Sequence, residues 1–524
     1  MDDLQGWYER VDELAAKGLL TPDGILKGIN QNVLIWCALN EETEMPHLCK
    51  VFDSLASEKN GTKILTQSAF LSFLEATGFL PPPLREAGAL VYRSLLYLSQ
   101  YPLYLSIPEA LTYEEFMRAV AWIRPRKSRH IYDAGQDGRS RSPADSRRQL
   151  FQSFATTRDG RSIPFDAVHA RKQAEQRAFD FTGADCAHTC RQFAATNYDD
   201  DGDEMFHDIL DVLYSVQPKE IGWRSPPRDS FRPVARKLVR EERVHHLSIP
   251  QNEFQSVVKL LVATYFGKPR VSVEQLADLD HVVDCIVRPV IQRPNIGITW
   301  DMFDQAVGNG MPLLMEGLQR LLGPFYRDPE DNDIIISLPQ PGKVATLPVL
   351  AQMSSLGVFS WWFVSVKPPK SYDVSAPTIT ASALADDLDT LPNAAIALLV
   401  SGKNSQTGEK TAFGYYIPDP EFKEVQKFLF QLSPIQDAFR GNNTRSGREL
   451  DRGELVFGQK GNGVSMVLQQ DLKKAIVSHS ISGQHEPMYP ATAWRGDWRV
   501  EIEVEDIEVW TEQQPEYDDE DEEE

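Results

Sequence analysis

The chain is short of the features that would place it quickly. Its five cysteines, Cys37, Cys49, Cys186, Cys190 and Cys285, are scattered through 524 residues. An odd, scattered set builds no disulfide framework, so a reducing compartment is expected. Nowhere do about 18 apolar residues run uninterrupted, and the opening Met-Asp-Asp-Leu-Gln holds no apolar leader core. No membrane-spanning helix is predicted, Asp2 is unsuited to myristoylation, and a cytoplasmic location is expected. Positive charge is also short: 54 Lys and Arg face 76 Asp and Glu, a formal net charge of -22. Phosphate backbones and anionic lipids attract positive patches, so general nucleic-acid binding is excluded and any such contact must be local.

The common catalytic signatures are missing as well. There is no G-x-x-x-x-G-K-[ST], G-x-S-x-G or H-E-x-x-H. Ser478, His479, His485 and Glu486 supply the residue types of a hydrolytic set, since a serine needs a base and the base an acidic orienter. Neighbours on a strand point to opposite faces, however, so Ser478 and His479 cannot pair, and these residues read as ordinary surface or core groups. Gly414, Gly458, Gly461, Gly463, Gly483 and Gly496 read as turn and bulge positions, because no helix start follows them to cradle a phosphate. Trp361, Trp362 and Phe363, with Phe359 nearby, read as core. No catalytic residue and no cofactor is expected.

What is present is enough apolar content, 42%, for two or three domains. Residues 1–123 read as helical, with apolar residues at three and four spacing such as Leu4, Trp7, Tyr8, Val11 and Leu14. Residues 124–149 are basic and rich in Ser and Gly and read as a flexible linker, with a phosphorylatable basic arm as its functional alternative. Residues 150–325 read as a second helical region, 335–512 as a strand-rich domain, and 513–524 as a disordered acidic tail.

A unit recurs in the helical regions. Leu65-Thr66-x-x-x-Phe70, Leu111-Thr112-x-x-x-Phe116, Ile249-Pro250-x-x-x-Phe254 and Ile298-Thr299-x-x-x-Phe303 each place an aliphatic residue, a helix starter and a Phe in one order. This resembles the exit half of an EF-hand, where the aliphatic residue pairs two loops in a short strand and the Phe packs the exiting helix. Four units would make two pairs. Calcium is not expected at them, since Tyr104, Ser106 and Pro108, or Ile291, Arg293 and Asn295, stand where carboxylates are needed.

One acidic stretch stands apart. Asn197, Asp199 and Asp201, followed by Gly202 and with Asp208 at position twelve, match calcium-loop spacing. Glu204 holds the position where an apolar residue belongs, and an acidic loop capping an apolar helix Met205 to Val216 is the alternative reading. Both stay open. Cys186, His188, Cys190 and His207 have the chemistry of zinc ligands without the usual spacing, and zinc is not expected.

The strand-rich domain carries the most information. Strands are predicted over 395–402, 411–418, 428–432, 454–458, 464–468, 476–482 and 498–510, the first two as a hairpin. In the last, Trp498, Val500, Ile502 and Val504 alternate with Arg499, Glu501, Glu503 and Glu505, the mark of half-buried antiparallel sheet. The phase slips at Asp506, which predicts a bulge. The succession Ala-Leu-Leu-Val-Ser-Gly, Ala-Phe-Gly-Tyr-Tyr, Phe-Leu-Phe-Gln-Leu-Ser-Pro, Glu-Leu-Val-Phe-Gly and Ile-Glu-Val-Trp resembles the TLDc domain of oxidation-resistance proteins. With its helical lead-in the architecture is similar to that of fungal proteins named for restriction of telomere capping. The resemblance implies an α+β fold, EF-hand-like helices followed by an antiparallel β-sandwich with flanking helices. It also implies an interaction module linked to oxidative stress, with peripheral subunits of the vacuolar proton-pumping ATPase as partners. A peroxide-removing or hydrolytic enzyme and a factor influencing telomere capping are the alternatives.

Overall fold

The computed structural model describes residues 2–35, 39–103, 108–124, 128, 131, 143–157, 204–218, 226–239, 243–266, 271–291, 297–328, 339–359, 366–376, 379–391, 394–419, 426–441, 447–481 and 486–512. The fold is α+β and divides into two compact units. One gathers residues 1–269, 293–308 and 315–334, the other 270–292, 309–314 and 335–524.

The four recurring motifs organise the first unit. Helices Glu44–Leu55 (α3), Gln67–Ala76 (α4), Arg85–Leu98 (α5) and Tyr113–Trp122 (α6) follow helices Asp2–Ala16 (α1) and Pro22–Ile35 (α2). Leu65 and Leu111 exchange both backbone hydrogen bonds, at 2.7 and 3.1 Å, and Ile249 and Ile298 do the same at 2.9 and 2.8 Å. The predicted pairs are therefore the observed ones. All four aliphatic residues and all four Phe are buried, each Phe contributing roughly 1.5–3 kcal/mol of burial.

The likeness between the pairs extends further than the motif. In the first, strands Ser57–Lys59 (β1) and Thr62–Ile64 (β2) form a hairpin closed by Asn60 and Gly61, both at positive φ (54° and 78°), the turn whose twist matches two antiparallel strands. In the second, helix Pro143–Phe154 (α7) leads to Thr156–Thr157 (β3), which pairs with Leu247–Ser248 (β4) ahead of helix Gln251–Ala263 (α10). Phe52 and Phe151 hold equivalent places before β1 and β3. Phe52 lies 5.5 Å from Tyr113 and 6.4 Å from Phe116, and Phe151 lies 5.6 Å from both Trp300 and Phe303 of helix Trp300–Gly310 (α12). Between β3 and β4, where the first pair has a two-residue turn, the described residues include helices Glu204–Ser215 (α8) and Arg232–Leu238 (α9), and α8 reaches α2, where Asn32 Nδ2 donates to the Ser215 carbonyl at 3.0 Å.

Two sequence expectations are corrected here. The basic stretch 124–149 is not a linker at its end: α7 starts at Pro143, and Arg124 and Arg148 are buried. Both arginines meet carboxylates, which composition alone does not reveal. Helix Leu279–Val287 (α11), read as part of the second helical region, lies in the second unit. Leu279, Val282, Val283, Cys285, Ile286 and Val287 are buried, and the Cys285 carbonyl accepts from Gln436 N at 2.9 Å.

The second unit is built on one sheet of ten strands. Lys370–Tyr372 (β5), Ile396–Asn404 (β6), Lys410–Ile417 (β7), Phe428–Ser433 (β8), Asp437–Arg440 (β9), Arg448–Asp451 (β10), Glu454–Gln459 (β11), Asn462–Leu468 (β12), Lys474–Ser480 (β13) and Trp498–Thr511 (β14) run in the order β10-β11-β12-β13-β14-β6-β7-β8-β9, with β5 also on β14. Every predicted strand is present; β5, β9 and β10, three or four residues long, carry too little periodicity to be read. The sheet folds over so that Leu398, Phe413 and Tyr415 of one half share a core with Phe457, Met466, Val477 and Ile502 of the other, giving the sandwich-like layering. Flanking helices Leu347–Ser355 (α14) and Ala381–Thr390 (α15) complete the unit.

The slip in β14 is a bulge. Its pairing with β6 runs Val504 to Gly402 and then Asp506 to Ser401, leaving Glu505 without a partner. Past it Ile507 and Val509 return to the core face. Deleting Glu505 removes the unpaired residue, so Val504, Ile507 and Val509 fall into unbroken alternation on the core face and cooperative unfolding of this unit is expected to survive, read by near-ultraviolet circular dichroism on the full chain. Loss of cooperative unfolding would show that the bend at the bulge, and not register alone, holds the unit together.

Candidate functional site

The acidic loop is only partly within view. Asn197, Asp199 and Asp201 lie outside the described residues, as do Cys186, His188, Cys190, His485 and Trp361 to Phe363. Asp208 is described, on α8, which bears out the apolar helix expected after the loop. It is fully buried and gives both oxygens to Arg148 of α7, at 2.5 and 3.3 Å. Arg148 also reaches Asp145 at 2.9 Å and Glu204 at 3.2 Å. One guanidinium therefore gathers three carboxylates, and Asp208 is engaged as its partner. His207, a zinc candidate, is buried beside Arg228 at 2.9 Å, and Arg228 pairs with Asp211 at 2.6 Å.

In the recurring unit at Leu111, taking Leu111 as loop position eight puts Glu115 at position twelve, and its carboxylate is occupied in a similar way. Glu115 accepts from Thr112 N at 2.8 Å and from Thr112 Oγ1 at 3.0 Å, while Thr112 Oγ1 accepts from Glu115 N at 3.4 Å. This capping box ties the carboxylate to its own helix start, and Gln100 Nε2 donates to its other oxygen at 3.0 Å.

In the second unit the sequence singled out Ser478 and His479, and the structure separates them. Burial alternates along β13, with His479 inside and Ser478 half-exposed on the other face. The His479 ring is committed at both nitrogens: Nδ1 donates to the Gly496 carbonyl at 2.8 Å and Nε2 accepts from Thr492 N at 2.9 Å. A carbonyl can only accept and a backbone N–H can only donate, so the partners define a neutral tautomer. Burial, as the largest influence, holds its pKa below the ordinary histidine value. The ring stacks on Trp498 at 5.0 Å, and Arg495 covers Trp498 at 4.7 Å while bonding Asp437 at 3.2 Å. Glu486 is exposed and takes no part. Ile481 and Trp494, on the segments flanking His479, stand 47% and 38% exposed.

Three further polar groups were not found from the sequence. Glu508, which alternation would send to solvent, is wholly buried beneath residues 342–345. It accepts from Val344 N at 2.8 Å, Ala345 N at 3.2 Å and Trp510 Nε1 at 3.1 Å. Gly342 passes so close that an added Cβ would fall 2.5 Å from both carboxylate oxygens. Cys285 Sγ lies 3.7 Å from His281 Nε2, itself 3.1 Å from Ser433 Oγ. Burial pushes that thiol up to about 11, far from a thiolate nucleophile at neutral pH. Glu512 is buried near Asp419, and burial followed by that charge raises it to about 7. No group of three or more His, Cys, Asp or Glu suited to a metal occurs among the described residues.

Two measurements test these assignments. Replacing Asp208 by Ala should destabilise the first unit by about 3 kcal/mol, the cost of breaking a buried pair; a variant that kept its stability and lost only calcium affinity would overturn the ion-pair role. Because His479 stays neutral when folded, the unfolded chain takes up its proton first as the pH falls below about 6.5. The stability advantage of the native chain over His479→Gln should therefore shrink between pH 7 and 5 in urea titrations, and a pH-independent difference would contradict it.

Comparison with known proteins fits this arrangement. Residues 367–513 match the model of the TLDc domain. The chain is 23% identical to restriction of telomere capping protein 5 of Leptosphaeria maculans, an alignment that spans 88% of this chain and 84% of that one. It is 20% identical to the protein of the same name from Colletotrichum graminicola (88% and 84%) and 22% to that from Pyrenophora tritici-repentis (88% and 85%). The folded-over sheet is thus a TLDc domain, in a chain similar over most of its length to the restriction of telomere capping 5 proteins.

Proposed function

We propose that this chain is a non-catalytic docking protein whose TLDc domain binds protein partners. The partners proposed are peripheral subunits of the vacuolar proton-pumping ATPase, whose assembly it regulates, with resistance to oxidative stress as the outcome. The observation that carries the reading is the commitment of the reactive-looking side chains. His479 is bonded at both nitrogens, Glu508 holds three donors and Asp437 pairs with Arg495. Groups fixed in this way position strands and are poorly placed to carry protons to and from a substrate.

The enzyme alternative gains one point and loses another. The sequence places no cysteine within residues 335–512, yet Cys285 shares the compact unit of the TLDc sheet. Its thiol is nevertheless buried and protonated at neutral pH. The relatives' name refers to telomere capping, but a formal net charge of -22 disfavours direct contact with nucleic acid. No helix among the described residues is long and apolar enough to cross a membrane, so a role at a membrane pump would work through protein contact.

Affinity capture with the full chain should recover peripheral pump subunits, and deletion of residues 335–512 should lose them. Capture of no stable partner, together with a peroxide- or ester-consuming activity abolished by Cys285→Ser or His479→Gln, would replace the docking reading with an enzyme.

A further inference from the structure

The first pair of hands encloses an apolar groove that its own motifs do not fill. Phe70 and Phe73 of α4 and Phe116 of α6 line it, and a helix from much later in the chain, Gly317–Tyr326 (α13), lies in it. Phe325 stacks on Phe70 with ring centroids 5.2 Å apart and planes 7° from parallel. It is 4.6 Å from Phe73 and meets Phe116 edge-on at 5.1 Å. Leu318, Leu321, Leu322 and Phe325 are all fully buried, and their i, i+3, i+4, i+7 spacing is that of an amphipathic helix laid into a groove.

The rim adds a charge code. Glu44 of α3 accepts from Arg124 through both terminal nitrogens, at 2.7 and 3.0 Å, and from Arg327 Nε at 3.2 Å. Burial alone would raise the Glu44 carboxyl, but Arg124, Asn40 N and Arg327 outweigh it and hold it below its ordinary value. Arg124 and Arg327 both cover the Tyr326 ring, at 5.0 and 5.6 Å. His47 Nε2 donates to the Pro324 carbonyl at 3.2 Å. At its other end α13 rests on α10, with Arg320 over the Tyr265 ring at 4.2 Å.

This occupant is a poor helix by itself. Gly317, Gly323 and Pro324 fall within ten residues, and Pro324 has no N–H to offer the carbonyl four residues back. A segment this short is not helical in water without a surface to pack on. Its helix is therefore supplied by the groove, and a partner helix with the same anchors would find the site preformed.

We infer that the groove of the first pair is a binding site for an amphipathic protein helix, with aliphatic anchors followed by an aromatic pair and a basic residue, and that α13 is its built-in occupant, displaced when such a partner binds. The inference is independent of what residues 335–512 dock onto. Because α13 also touches α10, displacement would release the second pair from the first through this helix.

Hydrogen exchange on the unmodified full chain tests it. Amides of α13 should exchange at least tenfold faster than those of α4 and α6. Exchange of α13 only together with α3, α4 and α6 would mean that it is plain core and would overturn the inference. In a second arm the probe is a labelled peptide of residues 314–328. It should bind a full chain carrying Phe325→Ala and Arg327→Ala at least tenfold more tightly than does the same peptide with Phe325→Ala. Equal binding of the two peptides, or binding of neither to a variant still folded by circular dichroism, would also overturn it. If the double variant does not fold, the exchange pattern of the unmodified chain decides.

Discussion

The second unit depends on β14 being hydrogen-bonded along both edges. Residues 498–503 pair with β13 on one side, residues 502–511 pair with β6 on the other, and residues 507–509 also carry β5. One strand therefore joins the two halves of the sheet, and the bulge at Glu505 lets it serve both. A bulge increases local twist and bends the strand, so the sheet can fold over while Ile502 and Val504 before it and Ile507 and Val509 after it all reach one core. Glu508 then makes the reverse face of β14 a binding surface for the chain's own lead-in. Three donors on one buried carboxylate compensate its removal from water.

In the first unit the same economy appears in carboxylates and arginines. Where an EF-hand would turn acidic side chains toward a metal, Glu115 caps its own helix and Asp208 with Glu204 and Asp145 surrounds Arg148. The paired-loop geometry persists because it rests on backbone bonds between Leu65 and Leu111, or Ile249 and Ile298, and on buried Phe. Buried ion pairs of this kind add little net stability over a hydrophobic equivalent, yet breaking one leaves an uncompensated charge. They fix which helices meet. Arg148 ties α7 to α8, and Glu44 ties α3 to the end of α6 and to Arg327.

The buried charged groups of both units, Arg148, Glu44 and Glu508 among them, are engaged in holding elements together. At the surface, Trp494 and Ile481 stand exposed beside the folded-over sheet, and in the first pair the apolar groove is filled by α13.

The sequence by itself determined the elements whose pattern is local. Alternation in residues 498–510 gave β14 its faces and its bulge, because side chains in a strand repeat every two residues and a one-residue slip shows at once. The recurring aliphatic and Phe positions gave the hands and their pairing, because one motif recurring four times needs partners for its short strands. Only the tertiary structure decided the rest. Glu508 and Arg148 look solvent-bound in a list of residues, and their burial follows from partners 163 and 60 positions away. That α8 and α9 lie between two paired strands is seen only once β3 and β4 are joined. α11 belongs with the TLDc sheet, and α13 with the first pair, because each is apolar on faces that no neighbour in sequence covers. Periodicity tells a helix which side to bury; it does not say against what.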